Sequence, residues 1–250
     1  MALELTEKEA RTLGFALQAH DVTTCKNGTR PILGSVLLTE TEYGFTLTST
    51  DSYILFHTSH QLEEAPALEG ADISGPASLL LSVEEKHGFR DIGKALAKAS
   101  GPVSFRPASS GLSQRPVSLG FAFSGGGVYA PPMAECPGDF PKWVSLFPTE
   151  PVEPGANRGL NLNPRLVTVM GKLGGFAAKA GKIWGSDPVM YIEPAVTDKK
   201  PATFVLNVEP RPMVNSAVGS WHGLVMPMSR TGYGLNDPAE ALLPEAVRNV

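Results

Sequence analysis

Read from its N-terminus, the 250-residue chain writes one plan three times: a short strand, a helix, then three strands. In the first copy the apolar "LEL" leads to Thr6 and Glu9, the pattern of a capping box, and Ala10, Leu13 and Leu17 follow at helical spacing. "ILGSVLLTE", "GFTLTST" and "YILFHTSHQ" are short, β-branched or aromatic, and bounded by polar or glycine residues, so they predict a three-strand meander. The second copy opens with "ADISGPASLLLS", and Phe89, Ile92, Leu96 and Ala99 line one face of "VEEKHGFRDIGKALAKAS". "PVSFRPA", "VSLGFAF" and "GVYAPPM" complete it. After a proline-rich connector, "GLNLN", "PRLVTVMGKLGGFAAKAG", "PVMYIEP", "ATFVLNVEP" and "HGLVMPM" repeat the order, with Pro164 in the first turn of the helix. The glycines of "GKLGG" each weaken that helix by ~1 kcal/mol relative to alanine. The copies share pattern rather than sequence, and they predict an α+β fold with helices on one face of antiparallel sheets.

With 42% hydrophobic residues the chain can bury a real core. Its formal net charge of −4 gives no overall basic field, so nucleic-acid contact needs a local patch. Cys25 and Cys136 match neither a metal-ligand spacing nor a disulfide framework, which suits a reducing compartment. "MALELTEKEA" does not have the pattern of a signal peptide, and no apolar run approaches the ~20 residues that span a bilayer. A cytoplasmic location without membrane contact, and without a metal or cofactor, is expected.

No catalytic constellation stands out. His57 and His60 are three apart on one expected strand, so they point to opposite faces and do not share a metal. "SGGGVY" joins two strands and lacks the helix and Lys-Ser/Thr pair of a phosphate loop, so it predicts a hairpin turn. Asp51 in "STDSY" reads as a turn-capping aspartate. The chain is not expected to be an enzyme, and an unrelated α+β enzyme would need a polar cleft with paired titratable groups.

The cations carry more. Lys86, Arg90, Lys94 and Lys98 recur every four residues opposite an apolar stripe. Arg165, Lys172 and Lys179 are seven apart, Lys182 lies beside them, and residues 154 to 186 contain no acidic side chain. Such ridges are often plain solvated helix faces, yet they also have the spacing for phosphate-backbone contact without base readout. Aromatic residues are not interleaved with them, which favours duplex over stacked single strands.

Three stretches then resemble one family, the bacterial β sliding clamps, rings that tether replicative polymerase to DNA. "RPILGSVLLTETEYGFTLTSTDSY" is similar to a strand followed by a Thr-Asp-Gly-His-Arg turn, "GDFPKWVSLFP" to a Phe-Pro-Asp-Tyr linker, and "LNLNPRLVTVMGKLG" with "LVMPM" to the final half-domain ending in Met-Pro-Met-Arg. The resemblance implies the DNA-clamp fold and an apolar pocket that takes short peptides from polymerases. Carried over by motif, Leu33, Thr50, Tyr53, Leu55, Pro141, Leu146, Leu224, Met226, Pro227 and Met228 would line it. Methionine suits such a pocket because it repacks around different partners.

Departures are visible too: Ser52, Tyr53 and Ile54 replace Gly-His-Arg, and Lys142 and Trp143 replace the linker acid and tyrosine. Residues 1–135 would form one clamp-like domain of two half-repeats, 136–235 a second domain or a half-repeat plus linker, and 236–250 a tail. Family rings contain twelve half-units, so three halves per chain imply a tetramer, whereas two full domains imply a trimer. A short, divergent clamp of this kind would suit a bacteriophage. The resemblance implies duplex DNA without sequence specificity, a polymerase and other proteins with clamp-binding peptides as partners, and it leaves open whether a clamp loader is needed. Its rival is a clamp-fold decoy or regulator of host replication that does not encircle DNA.

Overall fold

Capping chemistry and apolar spacing account for the helices of the computed structural model, which describes residues 3–26, 30–41, 43–63, 78–82, 88–109, 116–129, 139–147, 162–193, 201–208 and 220–226. Helix α1 (Glu7–Thr23) starts from the expected capping box: the Glu9 carboxylate accepts from the Thr6 amide at 2.7 Å, and Thr6 Oγ1 accepts from the Glu9 amide at 3.4 Å. Helix α2 (Gly88–Leu96) buries Phe89, Ile92 and Leu96. It is shorter than the lysine ridge required: Lys98 sits beyond its end, and Lys86 lies outside the described residues.

Helix α3 (Pro164–Trp184) runs unbroken through its glycines. Asn163 caps it by accepting from the Arg165 amide at 2.9 Å, and Gly185 ends it at φ 71°, a left-handed conformation that suits a residue without Cβ. Leu166, Met170, Leu173, Ala177 and Ala180 bury one continuous face. Tertiary packing thus outweighs the weak local propensity.

The strands divide into two sheets. Strands β1 (Leu3–Leu5), β6 (Val103–Ser109), β7 (Pro116–Phe123) and β8 (Val128–Tyr129) form one in that order. The other runs β5 (Ser78–Leu81), β2 (Val36–Thr41), β3 (Gly44–Thr50), β4 (Ile54–Gln61), β11 (Ser220–Val225), β10 (Ala202–Asn207), β9 (Met190–Glu193). The first two half-units therefore exchange their opening strands: β1 pairs with β6, and β5 pairs with β2. The third half-unit joins the first through the antiparallel pair β4 and β11, with Leu55 opposite Leu224. "SGGGVY" is the expected hairpin turn, closed by Phe123 N to Gly127 O at 2.8 Å. Of "GLNLN", residues 159–161 lie outside the described residues, as does the tail 236–250.

All three helices lie on one side, with α1 packed between α2 and α3. Under α1 and α3, Phe56 stacks on Phe204 at 6.3 Å and meets Trp221 edge-on at 5.8 Å. A buried polar network anchors α1 to the same sheet: His20 Nδ1 meets Ser49 Oγ at 2.8 Å, and Nε2 meets Thr58 Oγ1 at 3.0 Å. His60 Nε2 also reaches Thr58 Oγ1 at 3.0 Å, so one hydroxyl bridges the two imidazoles. Burial pushes the His20 pKa well down and that of His60 to about 3, with the neighbouring histidines adding to both.

Candidate functional site: a basic groove and an apolar row

On the helix side, α1, α2 and α3 enclose an open groove of about 710 Å³. Arg90 enters from α2, while Arg165, Lys172 and Lys179 enter from α3. These four expected cations share one groove. Lys26, just past the end of α1, joins them from outside any regular spacing. Among the described residues the one carboxylate in the lining is Asp21, which accepts an ion pair from Lys26 at 2.7 Å. Arg90 and Lys172 have no ion pair among the described residues. Lys94, Lys98 and Lys182 are exposed but do not line the groove, and Lys94 pairs with Asp91 at 3.0 Å. One expectation fails: Phe176 lies in the groove, and Lys179 Nζ sits 5.5 Å from its ring centroid. Spacing of three residues on one helix brings that aromatic to the lysine.

The opposite side of the sheet carries the apolar row. Alternation along β4 sends Ile54, Phe56 and Thr58 to the helices and Leu55 and His57 to the outer face. Register then places Thr50 of β3, Leu55 of β4 and Leu224 of β11 side by side, all buried. Met226 follows Leu224 by two residues, remains 40% exposed, and donates its amide to the Tyr53 carbonyl at 2.9 Å. Tyr53 is exposed. Leu33 is buried in a 3-10 turn, Pro31–Gly34, that packs against β3. Pro141 and Leu146 are exposed on the connector, and Pro227 and Met228 lie outside the described residues.

The connector touches this face through Trp143, the residue that stands where the resembling linker has tyrosine. Its ring packs on His57 with centroids 4.9 Å apart, and His57 faces His222 of β11 at 6.3 Å. Desolvation first, then the adjacent His222, lowers the His57 pKa to about 4; burial lowers that of His222 as well. Both are therefore neutral at pH 7, and they extend the apolar row rather than charge it. Period-two alternation places His57 two residues from Leu55 on one face, a signal available in the sequence.

At the rim, Asp51 clasps its own turn. Its Oδ1 accepts from the amides of Tyr53 at 2.9 Å and Ile54 at 3.0 Å, which is the expected capping role. Its Oδ2 accepts from Arg165 Nη2 at 3.2 Å, so the first turn of α3 is tied to the turn beside the row. Ser52 stands at φ 80°, where the resembling turn has glycine.

Two strand-helix-three-strand units with exchanged opening strands, a further helix followed by three strands, and α1 packed between α2 and α3 are the arrangement of the sliding-clamp fold. Solved structures share it: a sliding clamp (DNA polymerase III subunit beta) of Pseudomonas aeruginosa bound to griselimycin superposes with a TM-score of 0.54 at 11% identity, covering 91% of this chain and 65% of that one. A second Pseudomonas aeruginosa sliding clamp, with ligand, gives 0.56 at 12% identity over 91% and 66%. The beta subunit from the DNA polymerase of Streptococcus pyogenes gives 0.52 at 13% over 91% and 66%. The chain thus has the fold of a divergent clamp and spans about two thirds of the length of these structures. No family model matches it, and no curated protein does. Among the described residues no helix is long and apolar enough to cross a membrane.

Proposed function

We propose that this chain is a DNA sliding clamp, a processivity factor whose subunits assemble into a ring around duplex DNA and bind clamp-binding peptides of a polymerase. The observation that carries the reading is the convergence of Lys26, Arg90, Arg165, Lys172 and Lys179, from three helices, on one groove in a chain of net charge −4. Cations at such spacing meet phosphates in any register, so the contact permits sliding, and enclosure rather than affinity provides retention. On this reading residues 1–135 form a full domain, and residues 136–235 contribute a connector and half of another. Thr50, Leu55, Leu224 and Met226 form the floor of the peptide pocket, and Trp143 closes one end.

The test is retention. A loaded ring stays on nicked circular duplex at moderate salt and leaves when the circle is cut. Equal release from circular and linear DNA, with peptide binding intact, would favour the decoy reading. Met226→Asp should abolish binding of a clamp-binding peptide and leave assembly unchanged, because an apolar pocket desolvates the new carboxylate without a partner. Micromolar binding retained by that variant would remove the pocket assignment.

A further inference from the structure

Helices α1 and α3 carry the same buried spacing, at positions 10-13-17-20 and 170-173-177-180, and α2 carries its first three positions at 89-92-96, with Ala99 buried just past its end. In each, the second buried residue is followed by glycine: Gly14, Gly93 and Gly174. In the first domain the reason is visible. A Cβ on Gly14 would come within 2.5 Å of the Ala97 amide nitrogen and 2.7 Å of the Gly93 carbonyl, so α1 and α2 cross with backbones in contact. The positions of α3 equivalent to Gly93 and Ala97 are Gly174 and Ala178, with Gly171 one turn earlier.

Yet no helix occupies that side of α3 among the described residues. Nothing lies within 4 Å of a Cβ built on Gly171, and on Gly174 only the end of Met190 approaches, at 3.4 Å. Glycine inside a helix is unfavourable, so these small residues call for a packing reason. Beside them, Val167, Val189, Tyr191 and Ile192 are exposed, the last two on β9. β9 also ends the larger sheet, whereas its counterparts β2 and β6 are each covered by the opening strand of the other half-unit. Among the described residues the crossing helix and the covering strand are both missing, at one place.

We propose that a second copy of this chain occupies it, related by a two-fold axis, so that two α3 helices cross at Gly174 as α1 and α2 cross at Gly14 and Gly93. The occupant is set by the interface already present inside the chain: what covers such a face is another half-unit of the same kind, and the third half-unit is the odd one of three. An isologous contact presents the same glycine stripe from both sides. The resulting dimer holds six half-units, which selects the tetramer over the trimer for the ring proposed above. The inference deepens that reading and is tested apart from it.

Light scattering coupled to size exclusion, run on the full chain over a concentration series, reads the contact. The expected result is an even-numbered oligomer. Gly171→Trp, whose side chain enters open space within its own chain, should halve the mass with melting temperature and far-UV circular dichroism preserved. A monomer at every concentration, a trimer, or an unchanged mass for the variant would overturn the proposal. Should Gly171→Trp fail to fold, amide exchange of the wild type decides: protection of Met190–Glu193 should rise with concentration. Protection independent of concentration would assign the edge to this chain's own tail and end the proposal. Lys172→Ala, by contrast, weakens duplex binding at constant mass, so failure of the ring reading is seen separately.

Discussion

Helices α1 and α3 pack against one sheet and against each other, but they use their glycines in opposite ways. Gly14 of α1 is pressed against the backbone of α2, while a methyl group added to Gly171 or Gly175 of α3 would have nothing within 4 Å. Helix α1 sits between two helices and holds the sheet through His20, whereas α3 presents Arg165, Lys172 and Lys179 to solvent. One helix is shaped by what it buries, while the other leaves glycines and cations exposed.

The largest test strikes beneath both helices. Phe56→Ala opens a cavity in the core they share and should cost about 4 kcal/mol by urea denaturation. A loss below about 1 kcal/mol would mean that the two helices do not depend on a common core. Next, Gly93→Val places a side chain where the α1 backbone already stands and should cost about 3 kcal/mol. A neutral result would show the crossing to be loose and remove the contrast with α3.

Acid separates the helices by chemistry. His20, His57, His60 and His222 all have folded pKa values below 6.5 because of burial. As pH falls below 6.5 the unfolded chain takes up protons first, so the stabilisation is complete above that pH and fades as the pH falls through about 4 towards about 3. Each extra proton bound by the unfolded chain costs about 1.4 kcal/mol per pH unit. Melts between about pH 7.5 and 5, above the main carboxylate range, should show the decline, and a flat profile there would refute the neutral network.

Smaller effects belong to α3. Gly175→Ala should raise stability by about 0.5–1 kcal/mol, since the helix interior has room for the methyl group. Lys172→Ala combined with Lys179→Ala should leave thermal stability within about 0.5 kcal/mol and lower the salt slope of duplex binding by about 2. An unchanged slope would detach the groove from DNA.

What the sequence makes legible is mostly local. The capping box at Thr6 and Glu9, the apolar spacing of the helices and the turn at Asp51 depend on residues a few positions apart, and the structure has each of them. The clamp fold is legible because short elements recur in a fixed order. The groove is legible in part: four of the expected cations meet there, but Lys26 and Phe176 enter through the way α1 and α3 lie together, which periodicity does not encode. The same holds for Trp143 on His57, a contact between a connector and a strand far away in sequence. The lysine ridge of α2 stops short because a period of four, read along the sequence, runs on past the helix end at Leu96.

The pairing of β4 with β11 has a consequence for synthesis. Residue 58 stands opposite residue 221, so a growing chain completes α1, the first meander and the whole second half-unit before the neighbour of β4 exists. Throughout that interval the strand carrying Leu55 and Phe56 is a bare edge of the kind that invites pairing with other chains. The late arrival of β11 makes sheet closure a high-contact-order event. Ribosome-bound chains stopped short of residue 220 should therefore be the aggregation-prone and protease-sensitive species, and production of the protein would be governed by how long that edge waits.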